Sequence, residues 1–321
     1  MTFVVSPVSS ASRTGWAAAA DVAQRTFTGH VLHADGRTRI PVRLLLPDGT
    51  APAPWPLVIY SPGLGGSLDS GALWTEAWRA AGWVCLHVLH PPTSDALFQA
   101  GSAILTQQRI QNSLAADHVP ARAADISRVL DHLLAPSTEF SRYVDATHIA
   151  AAGHSYGALT VMALAGRALQ PTLREARITA AIALSPGVGS LAKARSMSSV
   201  AIPMMCVTGA LDEFVDIGLA PARVRAGVPL AQRMAVYTQL PPGTKRLLFV
   251  HGADHMTFAG QVEPGPGYAR AAAWESGGEY ARIELVRKAT TQFLVDCRER
   301  RLPRPEKPRR VEMESGYQVD E

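Results

Sequence analysis

Cysteine is scarce in this sequence, and its spacing offers no pairs. Cys85, Cys206 and Cys297 lie far apart, and no CxxC occurs. That argues against a zinc site of the ribbon type and against a dense disulfide framework. Cys85 and Cys206 sit inside apolar runs, where cysteine acts as a small hydrophobe. Long apolar runs are also missing: none approaches the ~18 residues of a membrane-spanning helix. Charge of one sign does not dominate, because the net charge is only +4. Much of the basic excess lies in "CRERRLPRPEKPRR", just ahead of the acidic "VEMESGYQVDE". This reads as a solvated, Pro-broken tail, so nucleic acid is not an expected partner. The first residues lack a basic start followed by a long apolar core, and the expected location is cytoplasmic. Internal repeats and a dividing linker are absent too.

What is present is an ordinary globular composition, 47% hydrophobic and 18% charged over 321 residues. That is enough chain for one large α/β domain. Short apolar runs recur between turn residues: "WPLVIY" (55–60), "WVCLHV" (83–88), "HIAAAG" (148–153), "ITAAIAL" (178–184), "IPMMCV" (202–207) and "RLLFV" (246–250). Runs of this length suit strands buried on both faces, as in a parallel sheet. Stretches with helical spacing alternate with them: "ALWTEAWRAAG", "ARAADISRVLDHLLA", "GALTVMALAGRAL" and "EYARIELVRKATTQFLVDC". Ahead of them, "RTFTGHVLHADG" and "TRIPVRLLLPDG" read as two β segments joined by a hairpin turn. The expected fold class is α/β: a mostly parallel, doubly wound sheet of about eight strands with an N-terminal antiparallel hairpin. Residues 21–299 are expected to form the single domain, after an N-terminal extension (1–20) and before a polar tail (300–321). Residues 91–120 lack a clear period and exceed an ordinary connection, which marks them as a candidate partial lid.

The strongest local signal is "AAGHSYGAL" (151–159). Gly153-His154-Ser155-Tyr156-Gly157 fits G-x-S-x-G where that pattern has meaning, between a strand and a helix. The tight turn lifts the Ser155 hydroxyl above the sheet edge, and the following helix aims free N–H groups and its positive end at the same point. His154 reads as support for the turn. A serine hydroxyl needs a base. Around such an elbow the acid and then the histidine follow the serine in chain order. "IPMMCVTGALDEFVD" runs from a strand into a loop and offers Asp212, Glu213 and Asp216. Asp212 follows the Gly209 turn most closely, near the strand edge where sites collect.

The histidine comes from "VHGADHMTF" (250–258). His251 ends the expected strand, whereas His255 lies past a glycine-containing turn and is free to reach Ser155. The stretch also invites a metal reading. Histidines four apart share a face only on a helix, however, and HGADH lacks the glutamate of the zincin motif. Asp254 reads as a turn cap, because adjacent side chains diverge. A dinucleotide site is unsupported, because "PGLGGSL" does not complete G-x-G-x-x-G. In this arrangement the loop holding those glycines supplies one oxyanion N–H, from Leu64, and the residue after the nucleophile, Tyr156, supplies the other. Leu64, Tyr156, Phe98, Phe214, Met256 and Phe258 are candidates to line an apolar pocket, and each also suits a core position.

The stretches "SPGLGG", "GHSYGALTV", "ITAAIALSPG" and "GADHMTF" together resemble the α/β-hydrolase superfamily. Within it the chain is similar to bacterial proteins akin to platelet-activating factor acetylhydrolase, a group also described as predicted dienelactone hydrolases. The resemblance covers most of residues 40–297 and implies a triad of Ser155, Asp212 and His255. Pro62 stands where that group has histidine, a feature shared with cutinase-like polyester hydrolases. Dienelactone hydrolases use a cysteine nucleophile, so Ser155 does not carry lactone opening over. The expected activity is hydrolysis of small or medium carboxylic esters through an acyl-enzyme, with a small-molecule substrate and no metal or organic cofactor. Amidase, thioesterase or acyltransferase chemistry would use the same triad, and a non-catalytic binding module would keep only the fold.

Overall fold

Strands β1 (Thr26–Leu32) and β2 (Arg39–Leu45) form the antiparallel hairpin, in register from Thr26 opposite Leu45 to Leu32 opposite Arg39. The computed structural model describes residues 25–33, 35–47, 52–99, 101–168, 171–188, 191–217, 224–243, 245–261, 277–302, 310–312 and 318–320. The expected N-terminal extension, residues 1–20, lies outside them. After the hairpin come β3 (Trp55–Ser61), α1 (Ala72–Ala80), β4 (Val84–Val88), α2 (Ala103–Ala115) and α3 (Val119–Leu133). Then follow β5 (Val144–His154), α4 (Tyr156–Leu164), β6 (Ile178–Leu184), α5 (Leu191–Ala194) and β7 (Met204–Leu211). The last elements are β8 (Phe214–Ile217), β9 (Val224–Gly227), α6 (Leu230–Thr238), β10 (Lys245–Asp254), α7 (Gly277–Arg298), β11 (Arg310–Glu312) and β12 (Gln318–Asp320).

The main sheet runs β1-β2-β4-β3-β5-β6-β7-β10-β12-β11. The six strands from β4 to β10 are parallel, as the continuous apolar runs require. Two short C-terminal strands, β12 and β11, add an antiparallel edge beyond the eight expected strands. Successive residues in each strand feed opposite layers. Leu57 and Ile59 of β3 pack with Ile126 and Leu130 of α3 and with Val161 of α4. Val58 and Tyr60, on the other face, pack with Trp74 and Trp78 of α1 and with Val286 and Leu294 of α7. Among the described residues no helix is long and apolar enough to cross a membrane.

The order of the strands decides where the site lies. The chain passes from β3 outward to β4, then returns to place β5 on the other side of β3. That reversal opens a crevice at the carboxyl ends of β3 and β5, where ligands collect in sheets of this kind. Ser61 and Gly153 face each other across these strand ends. The loop after β3 and the elbow after β5 are therefore neighbours, although ~90 residues separate them in the chain.

Residues 91–99 and 101–120 contain two short 3-10 turns, helix α2 and the start of α3. Helix α2 buries Thr106, Ile110 and Ser113, while Ile104, Leu105 and Leu114 are exposed. Its inward face is mostly polar, which is why its apolar letters show no period. Helix α4 stops at Leu164, short of the expected "GRAL", because Gly166 takes a positive φ of 100°.

Candidate active site

The elbow is visible in the backbone. Ser155 has φ 54° and ψ −113°, a conformation that costs an L-residue strain and persists only where the surroundings enforce it. Its N–H donates to Leu184 O of β6 at 2.9 Å, which pins the turn to the sheet. The flanking glycines are steric necessities. A Cβ on Gly153 would lie 2.6 Å from the Gly157 carbonyl group, and one on Gly157 would fall onto the Ser61 carbonyl oxygen. Strand β5 and helix α4 meet the end of β3 only because these side chains are absent. Gly157→Ala should therefore lower stability by about 3 kcal/mol or more. Urea unfolding measures this directly, and an unchanged midpoint would mean that α4 moves away without cost.

Ser155 Oγ lies 2.9 Å from His255 Nε2, and His255 Nδ1 lies 2.9 Å from Asp212 Oδ1. The three residues come from the ends of β5, β7 and β10. With the proton on Nδ1 directed at Asp212, Nε2 is free to accept from the serine hydroxyl. Asp212 is fully buried, and its charge is met by donors on both oxygens. Ser185 Oγ donates to Oδ1 at 2.7 Å and Thr208 Oγ donates to Oδ2 at 2.8 Å. Arg233 Nε stands 3.3 Å from Oδ1 and also donates to the Asp212 backbone carbonyl. Burial lowers the Arg233 pKa, and Asp212 and Glu213 oppose that shift.

His154 is buried and donates from Nε2 to the His255 carbonyl at 2.9 Å. Burial first, then the proximity of His255, holds its pKa well below the ordinary value, so it acts as a neutral prop. Asp254 accepts from the Thr257 N–H at 2.8 Å and from the Thr257 hydroxyl at 3.0 Å, in a turn-capping role. Strand β10 runs on through His251 to Asp254 rather than ending at His251. The His251 ring is exposed and packs against Phe249. His255 bonds Asp212 and Ser155, while His251 packs on Phe249.

The loop after β3 passes directly over the elbow. A Cβ on Gly63 would lie 3.2 Å from His154 Nδ1 and 3.4 Å from Ser155 Cβ, so the residue before Leu64 lies close to the elbow. Tyr156 opens α4, in the turn whose N–H groups lack helical partners.

Neither a protein-family model nor a curated protein sequence matches the chain. Solved structures do. A ferulic acid esterase from Streptomyces cinnamoneus aligns at TM-score 0.57 and 20% identity, over 92% of this chain and 95% of the other. For 2,6-dihydroxy-pseudo-oxynicotine hydrolase the values are 0.55 and 16%, over 88% and 71%. For Est1E from Butyrivibrio proteoclasticus they are 0.51 and 17%, over 85% and 99%. The chain has the α/β-hydrolase fold.

In this α/β-hydrolase fold a cavity of about 650 Å³ opens over Ser155 and His255. Leu64, Tyr156 and Met256 line it, but the three phenylalanine candidates do not. Phe258 is fully buried among Trp74, Tyr60 and Val286 on the α1/α7 side of the sheet. Phe98 packs behind Leu64 in a small cluster with Leu97 and Ile110. Phe214 is 41% exposed and lies under the Arg225 guanidinium. The alternation of β8 turns Val215 and Ile217 to the cavity in its place. The end of α2 contributes Leu114 and Ala115, so the aperiodic 91–120 segment walls one side.

Ser185, Thr208 and Arg233 were not singled out by sequence reasoning. Two had a signal: Thr208 is a polar residue inside an apolar strand, and Ser185 closes another such strand at "LSPG". Arg233 had none. It lies on α6, which no apolar period announced.

Proposed function

We propose that the protein is a serine hydrolase that cleaves carboxylic esters through an acyl-enzyme intermediate. The observation that carries the reading is the hydrogen-bonded line Ser155–His255–Asp212, each link 2.9 Å, at the floor of the cavity. Ser155 Oγ attacks the ester carbonyl carbon while its proton passes to His255 Nε2. Asp212 holds the imidazole tautomer and balances the imidazolium. The backbone N–H groups of Leu64 and Tyr156 receive the developing oxyanion. The tetrahedral species collapses, the C–O bond to the alcohol breaks, and His255 returns its proton to the leaving oxygen. Water then loses a proton to His255, attacks the acyl carbon and releases the acid, and Ser155 regains its hydrogen. The esterase names carried by structures of the same fold are consistent with this chemistry without assigning it.

The size of the cavity favours small or medium acyl groups. A fluorophosphonate should phosphonylate Ser155, as located by peptide mass mapping. Over a series of p-nitrophenyl esters, kcat/KM should peak between acetyl and octanoyl and fall for palmitoyl. An unlabelled Ser155 would end the proposal. Faster cleavage of matched p-nitroanilides would keep the triad and make the protein an amidase.

A further inference from the structure

Beneath the loop after β3 lies a second serine–histidine–aspartate line. Ser61 Oγ stands 3.1 Å from His90 Nε2, and His90 Nδ1 stands 2.9 Å from Asp125 Oδ2. Unlike Ser155, these residues do not line the cavity described above, and none is more than 3% exposed. Ser61 Oγ also accepts from Arg122 Nη2 at 2.9 Å. Fully buried and outside the cavity over Ser155, Ser61 does not act as a nucleophile. The donors run in one direction: Arg122 to Ser61, the Ser61 hydroxyl to His90, and His90 Nδ1–H to Asp125. His33 Nε2 lies 3.6 Å from the other Asp125 oxygen. The line thus carries a buried cation's charge to a buried carboxylate through two neutral side chains. Burial lowers the Arg122 pKa to about 9, so the guanidinium stays charged at neutral pH.

Three further Arg122 bonds reach the segments that carry the Leu64 and Tyr156 N–H groups. Nη2 also donates to the Pro62 carbonyl, two residues before Leu64. Nη1 donates to Thr93 Oγ, and the Thr93 carbonyl accepts from Gly65 N–H, one residue after Leu64, at 2.7 Å. Nε donates to Thr160 Oγ at 3.0 Å, and that hydroxyl donates to the Tyr156 carbonyl at 3.2 Å. The guanidinium carbon lies 5.2 Å from the centre of the Tyr156 ring. One planar group therefore holds the loop on both sides of Leu64 and also holds the first turn of α4.

We propose that Arg122, balanced through Ser61 and His90 by Asp125, is a positioning residue that sets the separation of the Leu64 and Tyr156 oxyanion donors. The proposal rests on the ester-hydrolase reading above. The two donors belong to different elements, and a misplacement of about 1 Å in such a constellation costs roughly 100-fold in rate. A guanidinium suits the task because its N–H groups form a rigid fork. An ammonium offers only a point charge.

The test uses Arg122→Lys and Thr160→Val in the full chain. Readouts are kcat and KM on a p-nitrophenyl ester, the inhibition constant of a trifluoromethyl ketone, and the melting temperature. The ketone forms a tetrahedral adduct with serine, so it senses the oxyanion donors. Both variants should lose roughly 10-fold to 100-fold in kcat with KM within about threefold. Ketone affinity should fall by the same factor as kcat/KM. The double variant should lose little more than Arg122→Lys alone, because both act through one guanidinium. If Arg122→Lys does not fold, the near-isosteric Thr160→Val decides alone. A lower melting temperature with unchanged kcat and ketone affinity would overturn the proposal and leave the network a purely structural role. Failure of the unsubstituted protein to label at Ser155 is a different result, and it would remove the reading on which the proposal rests.

Discussion

Ser155→Ala is expected to reduce kcat by roughly 10⁵-fold to 10⁶-fold, while KM stays within about threefold. In the proposed mechanism the substitution removes the atom that forms the acyl bond and leaves the rest of the site in place. The elbow strain at φ 54° belongs to the backbone and is much the same for serine and alanine. The Ser155 N–H bond to Leu184 O does not involve the side chain, so the turn keeps its anchor. Stability should therefore change by less than about 1 kcal/mol. Residual turnover above the water rate should remain, because the proposed oxyanion donors and substrate binding would act without the nucleophile. Stopped-flow kinetics on an activated ester check the rate, since the burst of alcohol release should disappear and only the slow residual turnover should remain. Retention of more than about a hundredth of the activity would mean that another group attacks the carbonyl.

Asp212→Asn should lower kcat by about 10⁴-fold, for a different reason. In the unsubstituted protein every polar neighbour of the carboxylate is a donor: His255 Nδ1, Ser185 Oγ, Thr208 Oγ and Arg233 Nε. An asparagine presents one acceptor and one NH₂ group to these donors. If the NH₂ faces His255, the proton moves to Nε2 and the imidazole can no longer accept from Ser155. Arg233 also loses the charge that balances it in a buried setting, which should cost about 3 kcal/mol of stability. Denaturation midpoints separate that loss from the catalytic one, provided that rates are measured where the variant is folded. Two controls give the comparison its force. Asp254 accepts only within its own turn, and Glu213 caps α6 by accepting from the Leu230 N–H at 3.0 Å. Asp254→Asn and Glu213→Gln should each cost less than about 10-fold in kcat. If either exceeds Asp212→Asn, the acid has been assigned to the wrong residue.

The parts of the molecule that were legible in the sequence share a physical cause. Strands such as "WPLVIY" and "ITAAIAL" are buried on both faces, so they appear as unbroken apolar runs whatever surrounds them. The serine elbow was legible because a tight turn between strand and helix demands glycine at fixed offsets, and Gly153 and Gly157 meet that demand locally. Ser155, Asp212 and His255, which the structure joins by hydrogen bonds, could be singled out because each follows the end of a recognisable strand.

Helix α2 was illegible, since its buried face is Thr106, Ile110 and Ser113 and its leucines face outward. The phenylalanines misled for a related reason. A ring at position 98, 214 or 258 is equally apolar in a core, on a surface under an arginine, or in a pocket. Only the direction in which its strand or turn faces separates these cases. Nothing in the spacing joined Ser61, His90, Arg122 and Asp125, or brought Arg233 to Asp212. Those contacts arise where the strand order reverses beside β3 and where α3 and α6 pack on one face of the sheet. The sequence by itself determined the kinds of elements, their order and the serine turn, because these depend on local backbone sterics and on burial period. Tertiary structure alone decided which buried polar groups meet, because partners such as Ser61 and Arg122 stand 61 residues apart and are joined only by the stacking of helix on sheet.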